Sequence, residues 1–188
     1  MDVDHAADTV RQGGVILFPT DTVWGIGCRA DNKKAVERIF TIKKRPLIQP
    51  LQVLIADFDD LDQIVTDVSP TARELMERFW PGGLTIILPA KENVLAPLVI
   101  GEGQTVGVRL PNHQLARQLV RAVGVPLAAT SANIHGEKTP VIRKDLTADI
   151  VSQIDFVLAG PEGFGVESTV VDATVEPIRI VRQGAVKL

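Results

Sequence analysis

The chain has no tyrosine, only two tryptophans and one cysteine among its 188 residues, and aromatic residues make up just 4% of it. With so little aromatic bulk, the core has to be built from Ile, Leu, Val and Ala. A single Cys28 rules out an internal disulfide and a cysteine-built zinc site, and its place beside Gly27 suits a small buried filler. No secretory or transit segment is evident at the amino end, and no apolar run approaches the ~20 residues that cross a bilayer. The expected setting is therefore a reducing cytoplasm, away from membranes. Positive charge is not in surplus either: the net charge is −3. Proteins that coat nucleic acid are usually strongly basic, so any polyanion site here must be local, assembled from basic residues far apart in the chain.

Several familiar signatures are missing as well. There is no G-x-x-x-x-G-K-[ST] phosphate loop, no G-x-G-x-x-G between a strand and a helix, no G-x-S-x-G elbow and no H-E-x-x-H. His5, His113 and His135 show no metal-ligand spacing, so no protein-built metal site is expected. A nucleotide could bind only by a less common arrangement.

What is present is ordinary globular composition, 45% apolar and 23% charged, in a length that suits one domain over residues 1–188. Apolar spacing predicts helices over 4–11, 33–43 and 59–65. A fourth opens at Ser69-Pro70 and stops at Pro81, and a fifth is capped by Asn112 with Leu115, Leu119 and Val123 on one face. Strands are expected over 15–18, 51–56, 84–88, 105–110, 126–129, 155–159, 168–173 and 178–182. Strands outnumber helices and the last two are consecutive. That favours a mixed sheet covered by helices over a pure alternating βαβ sheet.

Four polar segments stand out. Residues 19–27, PTDTVWGIG, form a loop after a buried strand, where threonine hydroxyls can bind a small polar ligand or simply satisfy a turn. Lys43-Lys44-Arg45-Pro46 ends a helix, so its cations suit either the helix dipole or phosphate oxygens. Ala128 to Asn133 combines small residues with Ser131 and Asn133. Gly163 to Val170 precedes Arg182-Gln183-Gly184, in which Arg182 closes an apolar run expected to be buried and so needs a partner or an anion. Each segment alone has an ordinary structural explanation.

Together, and in this order, they resemble the YrdC/TsaC family of threonylcarbamoyl-AMP synthases. The resemblance rests on PTDTVWGIG, K-x-R-P at 43–46, WPGGLT at 80–85, V-x-V-R-L-P at 106–111, S-A-N at 131–133, GVESTVVD at 165–172 and R-x-G at 182–184. It implies an α/β fold: a twisted open mixed sheet with flanking helices around a concave cationic cavity. By that resemblance, threonine is bound by Thr22, Arg109, the backbone at Ala129, and Ser168. ATP is bound by Lys43, Arg45, Gln49, Thr105, Ser131, Asn133, Thr139 and Arg182, with Lys43, Arg45, Ser131 and Asn133 closest to the chemistry. The implied reaction is nucleotidyl transfer, joining L-threonine, bicarbonate and ATP into threonylcarbamoyl-AMP and pyrophosphate, the first step of N6-threonylcarbamoyladenosine formation in tRNA. Magnesium is expected mainly on the triphosphate, and a tRNA threonylcarbamoyltransferase complex is the implied downstream partner. A role in binding RNA directly is the alternative from another class. The chain departs from the family pattern where it carries Leu54 in place of a frequent histidine, and Trp24 and Gly83 in place of Tyr and Pro.

Overall fold

The computed structural model describes residues 2–188. In chain order the elements are α1 (Asp2–Arg11), β1 (Ile16–Pro19), β2 (Trp24–Arg29), α2 (Lys33–Lys43), β3 (Gln52–Leu54), α3 (Leu61–Ile64), α4 (Pro70–Phe79) and β4 (Leu84–Pro89). There follow β5 (Thr105–Arg109), α5 (Gln114–Val123), β6 (Leu127–Ser131), α6 (Ala148–Val151), β7 (Phe156–Val157), β8 (Thr169–Asp172) and β9 (Arg179–Arg182). The strands form a twisted open mixed sheet in the order β7-β1-β2-β6-β3-β5-β4-β8-β9. The β1–β7, β3–β5 and β4–β8 pairs are parallel. The remaining pairs are antiparallel.

Helix ends follow local chemistry. Asn32 Oδ1 accepts from Ala35 N at 3.1 Å to start α2, which stops at Lys44 in the left-handed region, φ 51°. Ser69 Oγ caps α4 by accepting from Ala72 N at 3.2 Å, with Pro70 in the first turn. The cap of α5 is His113, not the expected Asn112: its Nδ1 accepts from Ala116 N at 3.2 Å. Nε2 therefore carries the ring proton and donates to Pro161 O at 3.0 Å. The expected helix over 59–65 divides into a 3-10 turn, Phe58–Asp60, and the short α3.

Both faces of the sheet are covered. On one, Val36, Ile39 and Phe40 of α2 and Leu75 and Met76 of α4 pack with Trp24, Ile26, Val53, Ile86 and Val108. On the other, Ala6 and Val10 of α1 and Leu119 and Val123 of α5 cover Ile16, Phe18, Leu54 and Leu127. Cys28 is fully buried in the first cluster, and burial pushes its thiol up to about 12, an inert filler.

β2 begins inside the segment 19–27 read from sequence as a loop and runs on to Arg29; only residues 20–23 turn. Trp24, Ile26 and Cys28 point to one face, and Gly25 and Gly27 take the other, where the Phe18 ring lies. A Cβ on Gly27 would stand 2.9 Å from Phe18 Cε1 and 3.0 Å from Ala128 O. Glycine is needed here because the ring occupies that space. A second correction concerns 178–182, expected to be buried: β9 is an edge strand, with Ile180 and Val181 half exposed. β6 runs on to Ser131, so Ser131 stands at a strand end and not in the loop beyond it.

Gly27→Ala is expected to destabilise the fold by about 1–3 kcal/mol through overpacking against Phe18. Chemical denaturation reads this as a lower midpoint at unchanged slope, and an unaltered midpoint would show that the ring has room to move.

Candidate active site

Strand ends and the loops beyond them enclose a cavity of about 590 Å³. Its walls come from the β1–β2 turn, from the segment between α2 and β3, from β4, β5 and β6, and from the entries to β8 and the end of β9.

Lys43 anchors one end. As the last residue of α2 it is 1% exposed, and its Nζ donates to Ser131 O, to Asn133 O at 2.5 Å and to Asn133 Oδ1 at 3.2 Å. The Asn133 carboxamide is itself fixed. Its Oδ1 accepts from Ser131 Oγ at 2.6 Å, and its Nδ2 donates to Glu137 O at 2.6 Å. His135 N closes the turn on Lys43 O at 2.8 Å. The S-A-N segment is thus folded around an ammonium. Burial pushes Lys43 down to about 7, and Arg45 acts in the same direction, while Glu167 opposes both.

Beyond the helix, Arg45 curls its segment by donating from Nε to Gln49 O at 2.8 Å and from Nη2 to Pro50 O at 3.2 Å. Burial lowers its pKa, and nearby Arg182 adds to that effect. Arg182 Nη1 donates to Glu167 Oε2 at 2.7 Å, and its Nε and Nη2 reach Ser168 O at 3.1 and 2.8 Å. Glu167 Oε1 accepts from Thr139 Oγ1 at 2.8 Å.

At the other end Arg109 is almost wholly enclosed. Its Nε donates to Gly82 O at 2.9 Å, Nη1 to Thr22 Oγ1 at 2.8 Å, and Nη2 to Asp21 Oδ1. Burial lowers its pKa, and Asp21 works against that by charge and hydrogen bond. Thr20 Oγ1 donates to Val23 O at 2.7 Å, so Thr22 must be the donor in the 2.9 Å contact between the two threonine hydroxyls. By the same logic Thr85 donates to Gln52 Oε1 at 2.8 Å, and Ser168 donates to Thr85 at 2.9 Å. Arg182, Ser168, Thr85 and Gln52 form one connected chain, since Arg182 Nη2 reaches Ser168 Oγ at 3.2 Å.

Of the residues singled out from the sequence, Lys43, Arg45, Gln49, Ser131, Asn133 and Thr139 line this cavity. So do Thr22, Arg109, Ala129, Ser168 and Arg182. Thr105 does not. It starts β5, four residues before Arg109, which at ~3.3 Å per residue leaves it far along the strand. Its hydroxyl donates to Glu102 O at 2.9 Å. Leu54, at the position of the frequent family histidine, is buried between the sheet and α5 and lines no part of the cavity. Sequence reasoning passed over Glu167, Thr85 and Gln52. The first two lie inside motifs it quoted, WPGGLT and GVESTVVD, but nothing in those strings marks which side chain faces inward.

Residues 8–184 match the Sua5/YciO/YrdC family, described as telomere recombination. The chain belongs to that family. A threonylcarbamoyl-AMP synthase of Bacillus subtilis is 40% identical over 185 residues, covering 98% of this chain and 54% of that protein. Another, of Vibrio vulnificus, is 36% identical over 186 residues, covering 97% of this chain and 98% of the relative. The crystal structure of P. abyssi Sua5 complexed with L-threonine superposes with a TM-score of 0.92 at 39% identity, covering 97% of this chain and 54% of that one. The chain therefore spans about half the length of the Bacillus and Pyrococcus relatives and nearly all of the Vibrio one.

The side chains of Arg109 and Asp21 are 2% and 9% exposed. Removing the carboxylate in Asp21→Ala strands a buried guanidinium, and the expected loss is about 3–5 kcal/mol of folding stability. Urea unfolding checks it: a loss below about 1 kcal/mol would mean water replaces the carboxylate.

Proposed function

We propose that this chain is an L-threonylcarbamoyladenylate synthase, a nucleotidyltransferase that converts L-threonine, bicarbonate and ATP into threonylcarbamoyl-AMP and pyrophosphate. The observation that carries this reading is the shared cavity: Lys43, Arg45 and Arg182 line the same hollow as Thr22, Arg109 and Ser168. Its volume lies within the ~300–1,000 Å³ usual for small-molecule sites. Family membership and the threonine-bound Pyrococcus relative support the same assignment.

In this reading Arg109 receives the threonine carboxylate. Three of its five N–H groups are held by Gly82, Thr22 and Asp21, and one on each Nη has no partner among the described residues. Lys43, Arg45 and Arg182 take the phosphates, Ser131 and Asn133 hold the Lys43 ammonium in place, and Gln49 and Thr139 border the nucleotide. Threonine's amine and bicarbonate give a carbamate with loss of water. A carbamate oxygen then bonds to the α-phosphorus as the bond to the β-phosphate oxygen breaks, and pyrophosphate leaves. The cavity presents no nucleophile–base pair. Catalysis rests on holding the reactants in line and on stabilising charge as it moves onto the leaving pyrophosphate.

Both Glu167 oxygens are engaged, and no cluster of three His, Cys, Asp or Glu side chains forms a metal cage among the described residues. Magnesium would enter with the triphosphate, held mainly by phosphate oxygens and water, and would offset phosphate charge there. The product would pass to a tRNA threonylcarbamoyltransferase complex in the cytoplasm. No helix among the described residues is long and apolar enough to cross a membrane.

The deciding assay supplies ATP, L-threonine and labelled bicarbonate and looks for pyrophosphate and a labelled adenylate. Salt-sensitive tRNA binding without turnover would instead favour an RNA-binding module. Arg45→Ala is expected to lower kcat/KM by about 100-fold or more while the melting temperature stays near that of the parent; retained activity removes Arg45 from the phosphate site. Lys43 gives a pH signature. A bound polyanion favours the ammonium form, whereas burial and Arg45 hold that group at about 7. ATP binding should therefore take up a proton above pH 7, and affinity should fall as pH rises, by up to about tenfold per unit. Calorimetry in buffers of differing ionisation enthalpy measures the uptake, which should grow between pH 6.5 and 8.5.

A further inference from the structure

Two carboxylates hold arginines at this site, and they are built differently. Asp21 and Arg109 are almost wholly buried, a tightly held pair. Glu167 and Arg182, by contrast, leave 34% and 45% of their side chains exposed at the cavity wall. The Glu167 backbone is pinned. Ala185 N donates to its carbonyl at 2.8 Å, and Gly184 passes so close that a Cβ there would be 2.3 Å from the same oxygen. Any adjustment of this residue therefore falls to its partly exposed side chain. Its carboxylate binds Arg182 and Thr139, and its charge also acts on Lys43 and Arg45. Every cation assigned above to the phosphates therefore feels this one anion.

Resting on that assignment, we propose that Glu167 is an internal stand-in for a phosphate group, holding Arg182 whenever no nucleotide is bound and yielding it to the incoming one. Its charge opposes the polyphosphate and keeps affinity below what three cations alone would give. The same opposition helps to expel pyrophosphate once the α–β bond has broken, and the carboxylate then returns to Arg182. Glu167 touches the binding cations and not the reacting atoms, so its role is to set the affinity of the phosphate site.

The test is equilibrium binding of Mg-ATP and of inorganic pyrophosphate to the wild type, Glu167→Gln and Glu167→Asp, each confirmed as folded by circular dichroism. Gln keeps an acceptor for Thr139 and removes the charge. It should bind both ligands about tenfold more tightly, and pyrophosphate should become a correspondingly stronger product inhibitor while kcat falls. Asp keeps the charge and should stay within about threefold of the wild type. A merely structural role could only weaken binding, so a gain in affinity confined to Gln is the decisive sign. Unchanged or weaker binding in Gln, or equal tightening in Asp, overturns the proposal while leaving the ATP site intact. A wild type that binds neither ligand overturns the functional reading and this proposal with it.

Discussion

An ammonium taken out of water has to find oxygen atoms, and at the end of α2 Lys43 finds three of them. All belong to Ser131 and Asn133, about ninety residues further along the chain. That constraint shapes the site. The helix end, the end of β6 and the turn beyond it have to meet at one point, because a lone charge buried there without them would cost several kcal/mol. The cavity wall on this side is a consequence of satisfying one cation. Ser131 and Asn133 read from sequence as ligand contacts; in the structure both also hold the lysine.

Charge is balanced locally throughout the site. Arg109 lies against Asp21, and Arg182 against Glu167. Lys43 is held by neutral oxygens, and Arg45 folds onto the carbonyls of its own segment. A chain whose net charge is negative can carry a cluster of four basic side chains because four local devices tie them down. Two of those devices are carbonyl and amide dipoles, which add no negative charge to offset a cation's charge. The other two are carboxylates, which cancel it.

How much of this was legible beforehand follows from the reach of local rules. The α2 and α4 starts were readable because caps act within three residues of their own position. Asp31 and Asn32 were both candidates for α2, of which the structure uses Asn32, and Ser69 caps α4. The α5 cap was misassigned to Asn112 because a histidine ring is an uncommon cap, fixed here by a carbonyl at Pro161, distant in sequence. β2 escaped notice because its positions on the face covered by α1 and α5 are glycines, which carry no alternation signal; the reason for them is the ring at Phe18 on the neighbouring strand. Arg182 was expected in a buried run, but an edge strand with one free side exposes apolar residues that a central strand would cover. Nearly all of the residues expected at the site, singled out through the order of their motifs, line the one cavity. The partnership of Glu167 with Arg182 joins two motifs across the β8–β9 hairpin, and no spacing rule spans it.

The glycines of β2 have one further consequence. Phe18 and Gly27 fill a single volume between them, so neither can drift in size by itself. A lineage that replaced the glycine would have to surrender the phenyl ring, and the space thus emptied beneath α1 and α5 would need a new occupant from Ala6, Val10 or Leu119. Residues on three separate elements are in this way bound to change together, although the ligand cavity touches none of them.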